Sequence, residues 1–191
     1  MTELTREKNG GAVTDTVVRV TAGSTEEQQF LTFLLGGEMF AVGILNVKEI
    51  IEYGELTEIP MMPSFIRGVI NLRGAVVPVI DLAARFGGKE SAAQKRTCNV
   101  IVEVRQEGFK HDLGIMVDAV SEVLEISAAD IEPAPSFGAR VRADFIAGMG
   151  KVNGKFVIIL DIQRVLSVDD MAAIVDVGNH VASDIAVAKA A

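Results

Sequence analysis

From residue 30 onward, apolar residues come in short runs separated by glycine-containing turns. Residues 30–35 (FLTFLL) form a run of strand length, followed by Gly36-Gly37 and a second run at 39–42 (MFAV). Two such runs around a glycine pair predict a β-hairpin. The arrangement recurs along the chain. Runs 69–72 and 75–80 flank Arg73-Gly74, runs 100–104 and 113–117 flank a polar connection containing Gly108, and runs 151–152 and 155–160 flank Asn153-Gly154. Asn-Gly suits a type I′ turn, because both residues adopt positive φ at low cost. Many short strands with glycine-rich turns predict an all-β sandwich or barrel.

Helical signals are few. Asp81 and Asp161 each follow an apolar strand and precede a short segment, LAARF and IQRVL. Both read as N-caps, whose carboxylates accept from the free amides of a helix start. Residues 167–177 (SVDDMAAIVDV) place Met171, Ile174 and Val175 at helical spacing. Capped by Ser167 or Asp169, they predict a C-terminal helix within a tail at 169–191. Residues 1–26 are polar without sustained periodicity and are expected to form a flexible leader.

The pattern also repeats at long range. The segment 65–86 (FIRGVINLRGAVVPVIDLAARF) aligns with 145–166 (FIAGMGKVNGKFVIILDIQRVL) at an offset of 80. The alignment pairs Phe65 with Phe145, Gly68 with Gly148, Gly74 with Gly154, and Asp81 with Asp161. Upstream, VKEIIE (47–52) matches VSEVLE (120–125) at an offset of 73, so the second copy has a loop about seven residues longer before Phe145. The paired glycines mark turns or close backbone approaches where a Cβ is unwelcome. The expected organisation is a first β-barrel unit at 27–90 and a second at 97–168, with strand exchange between them left open. Units of this size bury only a modest core alone and are expected to pack on each other.

Composition narrows the function. The chain is 49% hydrophobic, enough for a sizeable core, and no run approaches the roughly 18 apolar residues of a membrane helix. The opening MTELTREKNGG lacks an apolar stretch behind its charges, so no secretory signal is read and a cytoplasmic location is expected. A net charge of −8 argues against a nucleic-acid phosphate binder, and no Trp with one Tyr argues against a base-stacking platform. Cys98 is the single cysteine, which excludes an internal disulfide and a cysteine-rich zinc site. His111 and His180 have no second ligand at metal spacing, and no GxSxG, GxGxxG or P-loop occurs. GVINLRG is glycine-rich but lacks the lysine and following helix of a phosphate loop. No catalytic residue, metal or cofactor is expected.

At NLRG (71–74) the chain resembles the CheW-like domain family of bacterial chemotaxis coupling proteins. The resemblance spans residues 30–167 and is carried by FLLGGEMFAVGILNVKEI (33–50), PSFIRGVINLRGAVVPVIDL (63–82), GIMVDAVSEVL (114–124) and FIAGMGKVNGKFVIILDI (145–162). It implies two SH3-like five-stranded β-barrels, with no catalytic activity and no cofactor. It also implies an adaptor that bridges the cytoplasmic tip of methyl-accepting chemoreceptors to the regulatory domain of the histidine kinase CheA. The length matches the stand-alone coupling protein. Two other readings stay open: the same adaptor in another kinase pathway, and a small β-barrel enzyme or ligand carrier.

The resemblance assigns receptor binding to Val47, Glu49, Arg73, Gly74, Val76, Cys98 and Val123. Val47 and Glu49 share a strand face by simple alternation, and Glu49 and Arg73 are expected to approach each other. Val76, Cys98 and Val123 fit either core packing or a groove between the barrels, where a receptor helix would dock. Gly68, Gly74, Gly148 and Gly154 are read as turn or bulge residues, and Asp81 and Asp161 as caps.

Overall fold

The structure, a computed structural model, describes residues 27–106, 108–135 and 141–166. The expected leader and C-terminal helix lie outside the described residues. Eleven strands run through them: β1 (Glu27–Leu35), β2 (Glu38–Gly43), β3 (Val47–Glu52), β4 (Ile66–Leu72), β5 (Ala75–Asp81), β6 (Cys98–Gln106), β7 (Phe109–Val117), β8 (Ala119–Ser127), β9 (Ile131–Glu132), β10 (Ile146–Val152) and β11 (Lys155–Leu160). Two short helices, α1 (Leu82–Arg85) and α2 (Ile162–Val165), follow β5 and β11.

The strands form two sheets. One has the order β3-β6-β7-β5-β4, the other β8-β1-β2-β11-β10-β9. The orders superimpose strand for strand, with the two-residue β9 as an addition at one edge. Each sheet contains one parallel pair, β5 with β7 and β11 with β2. The register breaks also correspond. The shift between Ile66 and Gly68 in β4 recurs between Ile146 and Gly148 in β10, and the shift between Val47 and Glu49 in β3 recurs in β8 opposite Leu31 and Phe33. The duplication read from the sequence therefore extends to its β-bulges, which bend strands at barrel corners.

Sheet pairing crosses the boundary expected at 90–97. Hairpin β1-β2 sits in the sheet of β8, β10 and β11, while β6-β7 closes the sheet of β3, β4 and β5. The five-stranded sheet is thus one continuous stretch of chain, inserted between the second and third strands of the other. The exchange left open by the sequence involves a whole hairpin.

Alternation along the strands explains why the sheets stay together. Leu31, Phe33 and Leu35 of β1 join Val100, Val102 and Val104 of β6, Ile80 of β5 and Ile115 of β7 in one core drawn from both sheets. Phe30, Ala41, Ile126, Val157 and Ile159 form a smaller core within the six-stranded sheet. An aromatic series, Phe33, Phe40, Phe86 and Phe145, crosses the shared core with ring centroids 5.8–6.1 Å apart. At the junction of the two repeats, the Arg85 guanidinium lies 5.2 Å from Phe65 and 5.0 Å from Phe145, the paired phenylalanines of the repeat, and its Nε donates to the Val165 carbonyl at 3.0 Å.

Both predicted caps form. The Asp81 carboxylate accepts from the amides of Ala83 and Ala84 at 3.0 and 3.2 Å, and is also held by the backbone and hydroxyl of Ser91 at 2.6 and 2.9 Å. Asp161 accepts from Gln163 and Arg164 at 3.1 and 3.2 Å. Thr32, fully buried, stitches the β8 bulge: its hydroxyl donates to the Glu122 carbonyl at 2.7 Å and accepts from the Glu122 amide at 3.2 Å. Thr32→Val keeps the shape but strands both groups, and is expected to cost about 1–3 kcal/mol in urea denaturation.

Candidate functional site

The site is built on the hairpin β4-β5 and the edge strand β3. Leu72 pairs with Ala75, leaving Arg73 and Gly74 as a two-residue loop with φ of 51° and 90°. Two successive left-handed residues make the type I′ geometry that matches strand twist. Gly74 supplies this conformation freely, whereas arginine does not. A hydrogen bond steadies the turn, as the Gly74 amide donates to Asn71 Oδ1 at 2.8 Å. In the paired hairpin of the second repeat, Asn153 and Gly154 have φ of 50° and 76°.

Arg73 reaches across to β3, where its Nη2 donates to Glu49 Oε2 at 2.9 Å. The arginine side chain is 79% exposed and the glutamate 25%. Because β3 and β4 are the two edges of the five-stranded sheet, this ion pair spans the seam where the sheet curls toward closure. The isolated bridge Thr57–Val69, with reciprocal hydrogen bonds of 2.9 Å, lies along the same edge. Gly68 permits it: a Cβ there would overlap the Thr57 carbonyl oxygen. Gly148 holds the matching position in the second repeat, where a Cβ would stand 3.1 Å from the Glu132 carbonyl oxygen and 2.5 Å from the Ile131 Cγ2 methyl.

The placement of Val47 and Glu49 corrects the alternation argument. Val47 lies opposite Val102, and Glu49 opposite Ile101, one residue on rather than two. Cross-strand partners share a face, so the bulge turns Val47 toward the shared core and Glu49 toward the other face of the sheet. Val47 and Cys98 pack, partly buried, against the shared core. Val76 is half-buried on the face of β5 that carries Ile80. Cys98 pairs with Glu52 and Val117, and its Sγ lies 3.3 Å from the Arg96 carbonyl. Val123 is elsewhere: it lies on β8 in the six-stranded sheet, paired with Leu31 and 48% exposed. The structure thus unites Glu49, Arg73 and Gly74 at one barrel rim, packs Val47 and Cys98 against the core shared by the sheets, leaves Val76 half-buried on β5, and places Val123 on the second barrel.

Two features escaped the sequence reading. Asn71 is one; the available signal was an asparagine beside a turn, where its side chain bonds backbone amides. The other is a set of exposed apolar side chains, among them Leu45, Ile50 and Phe156, exposed by 97%, 44% and 52%. Period-two reasoning assigns such residues to a core unless pairing is known.

Beside the site lies an ion-pair cluster. Lys48 Nζ donates to both Asp112 oxygens at 2.8 and 2.9 Å, and Lys110 Nζ lies 2.8 Å from Glu103. The Asp112 hydrogen bond raises the Lys48 pKa, and the Lys110 hydrogen bond lowers that of Glu103. These groups are solvated, and such pairs organise a surface more than they stabilise it. Among the described residues, no group of three or more His, Cys, Asp or Glu could hold a metal ion, and no helix is long and apolar enough to cross a membrane.

Residues 29–170 match the family model of the CheW-like domain. The chain is 38% identical over 153 residues to the chemotaxis protein CheW of Klebsiella aerogenes, covering 80% of this chain and 90% of that one. It is 35% identical over 133 residues to protein FrzA of Myxococcus xanthus, covering 70% and 80%. Among solved structures it is similar to the crystal structure of the scaffolding protein TtCheW from Thermoanaerobacter tengcongensis. That match has a TM-score of 0.67 and 35% identity, covering 75% of this chain and 90% of that one. With paired SH3-like barrels, the NLRG hairpin and these relatives in agreement, the chain belongs to the CheW-like domain family of chemotaxis coupling proteins.

Proposed function

We propose that the chain couples methyl-accepting chemoreceptors to the histidine kinase CheA, and that the Arg73–Glu49 rim meets the cytoplasmic tip of the receptor. One observation carries the reading. An arginine is held on a tight turn, ion-paired at 2.9 Å across the two sheet edges, yet left 79% exposed. A guanidinium so placed keeps free N–H groups for a carboxylate or helix terminus of a partner. Val47, Val76 and Cys98 stand partly buried on the same sheet as this pair, and an apolar groove that receives an amphipathic helix is a recurring docking mode.

The work of such a protein is binding rather than catalysis. Another barrel end takes the regulatory domain of the kinase, itself of the same fold by the family resemblance. Joining receptor and kinase turns their encounter into an intramolecular one and links their conformational states. Recruitment to receptor arrays follows from that contact, without insertion of this chain into the membrane. A second reading, the same adaptor serving a different kinase, is favoured by the likeness to FrzA; a pull-down from the native cell separates the two.

The test is co-sedimentation of full-length protein and CheA with receptor-containing membranes. Arg73→Ala is expected to weaken binding about tenfold, equivalent to the loss of about 1.4 kcal/mol. Arg73→Glu should weaken it further, by placing like charge against Glu49. Wild-type binding by Arg73→Ala, or kinase recruitment that does not need this chain, overturns the reading.

A further inference from the structure

We infer that Asn71 is a positioning residue for partner binding: its side chain holds the turn that aims Arg73. The inference rests on the proposed receptor-binding role of Arg73 and adds to it a residue that need not touch the partner.

The need for such a residue comes from backbone conformation. Arg73 has φ of 51°, a left-handed conformation that side chains with a Cβ resist. In the second repeat, the matching turn position is Asn153, a residue that adopts this region readily. There Lys151 stands where Asn71 stands in the first repeat. In the first repeat asparagine stands not in the turn itself, where it would relieve strain, but two positions before it, where it clamps the turn. This arrangement places an arginine at the tip and leaves the strain to be offset by the 2.8 Å bond from the Gly74 amide to Asn71 Oδ1.

The setting of Asn71 agrees with that role. It is exposed near the end of β4, paired with Val76, and contributes nothing to the cores. Asparagine is a poor strand former, so burial does not account for it. Its acceptor serves Gly74, the residue that follows Arg73, and thereby orients the Arg73 Cα–Cβ bond toward Glu49 on β3, 24 residues earlier in the chain. A guanidinium held in place before binding loses less side-chain freedom when a partner arrives.

Three variants of the full-length protein test this, with a soluble fragment of a chemoreceptor cytoplasmic tip as probe. Asn71→Ala is expected to weaken binding about threefold to tenfold, the factor that one hydrogen bond is worth. Asn71→Asp keeps the acceptor and should bind within about twofold of wild type, a change smaller than one such bond. In an Arg73→Ala background, Asn71→Ala should cost nothing more, because there is no arginine left to aim. Amide hydrogen exchange gives a readout without any partner: protection of the Gly74 N–H should fall in Asn71→Ala and persist in Asn71→Asp. If Arg73→Ala binds normally, the receptor-binding reading fails, whatever Asn71 does. If Arg73→Ala loses binding but Asn71→Ala does not, the positioning role is overturned. Equal losses from Asn71→Ala with and without Arg73, or unchanged Gly74 protection, overturn it as well.

Discussion

Phe33→Ala is expected to lower stability by about 3–5 kcal/mol, the range for truncating a fully buried phenylalanine. Phe33 is 0% exposed in the core built from both sheets, stacked on Phe40 at 6.1 Å. Hairpin β1-β2, which carries both rings, is also the segment exchanged between the halves of the chain. Opening a cavity there loosens the contact on which each sheet relies for one of its faces. The loss should therefore appear as a single transition at lower denaturant, monitored by circular dichroism in urea. A loss below about 1 kcal/mol, or two separate transitions, would show that the barrels do not depend on a shared core.

Gly68→Ala is the second large effect, and it differs from Gly74→Ala for a definable reason. Both glycines have positive φ, 143° and 90°. At Gly74 a methyl group meets open space, so the cost is backbone strain alone, about 1–2 kcal/mol. At Gly68 the methyl overlaps the Thr57 carbonyl oxygen. Relief requires β4 and the Thr57 segment to part, breaking two hydrogen bonds of 2.9 Å. With about 1 kcal/mol for each bond added to the strain, the total is about 3–4 kcal/mol. Thermal melting of the two variants should rank Gly68→Ala clearly below Gly74→Ala. Equal melting temperatures would mean that the approach of Thr57 decides nothing. Gly68→Ala should also weaken partner binding, since β4 carries the Arg73 turn.

These effects show where local and long-range determinants divide. The turns at Gly36-Gly37, Arg73-Gly74 and Asn153-Gly154, the caps at Asp81 and Asp161 and the two-copy pattern were all readable from the chain. Each depends on φ preference, capping or periodicity among residues a few positions apart. The approach of Glu49 and Arg73 was anticipated as well, though from the family resemblance and not from spacing. The face that Glu49 occupies was not readable, because the bulge at Lys48 exists only where β3 pairs with β6. Cys98 was assigned to the second unit, yet β6 joins β3, β4 and β5 in the five-stranded sheet, since strand alternation does not reveal which sheet a strand joins.

By itself, then, the sequence determined most of the strands, their turns, the duplication and the family, together with the residue types of the rim. The tertiary structure alone decided that hairpins β1-β2 and β6-β7 change places, that Arg85 of one repeat sits between Phe65 and Phe145, and that an ion pair spans the edges of the five-stranded sheet. The reason is physical. Hairpins and caps are settled by neighbours in the chain, and either repeat could have kept its own hairpin with the same local bonding. The choice between those pairings is made by burial, in the arrangement where Leu31, Phe33 and Leu35 meet Val100, Val102 and Val104 across one core.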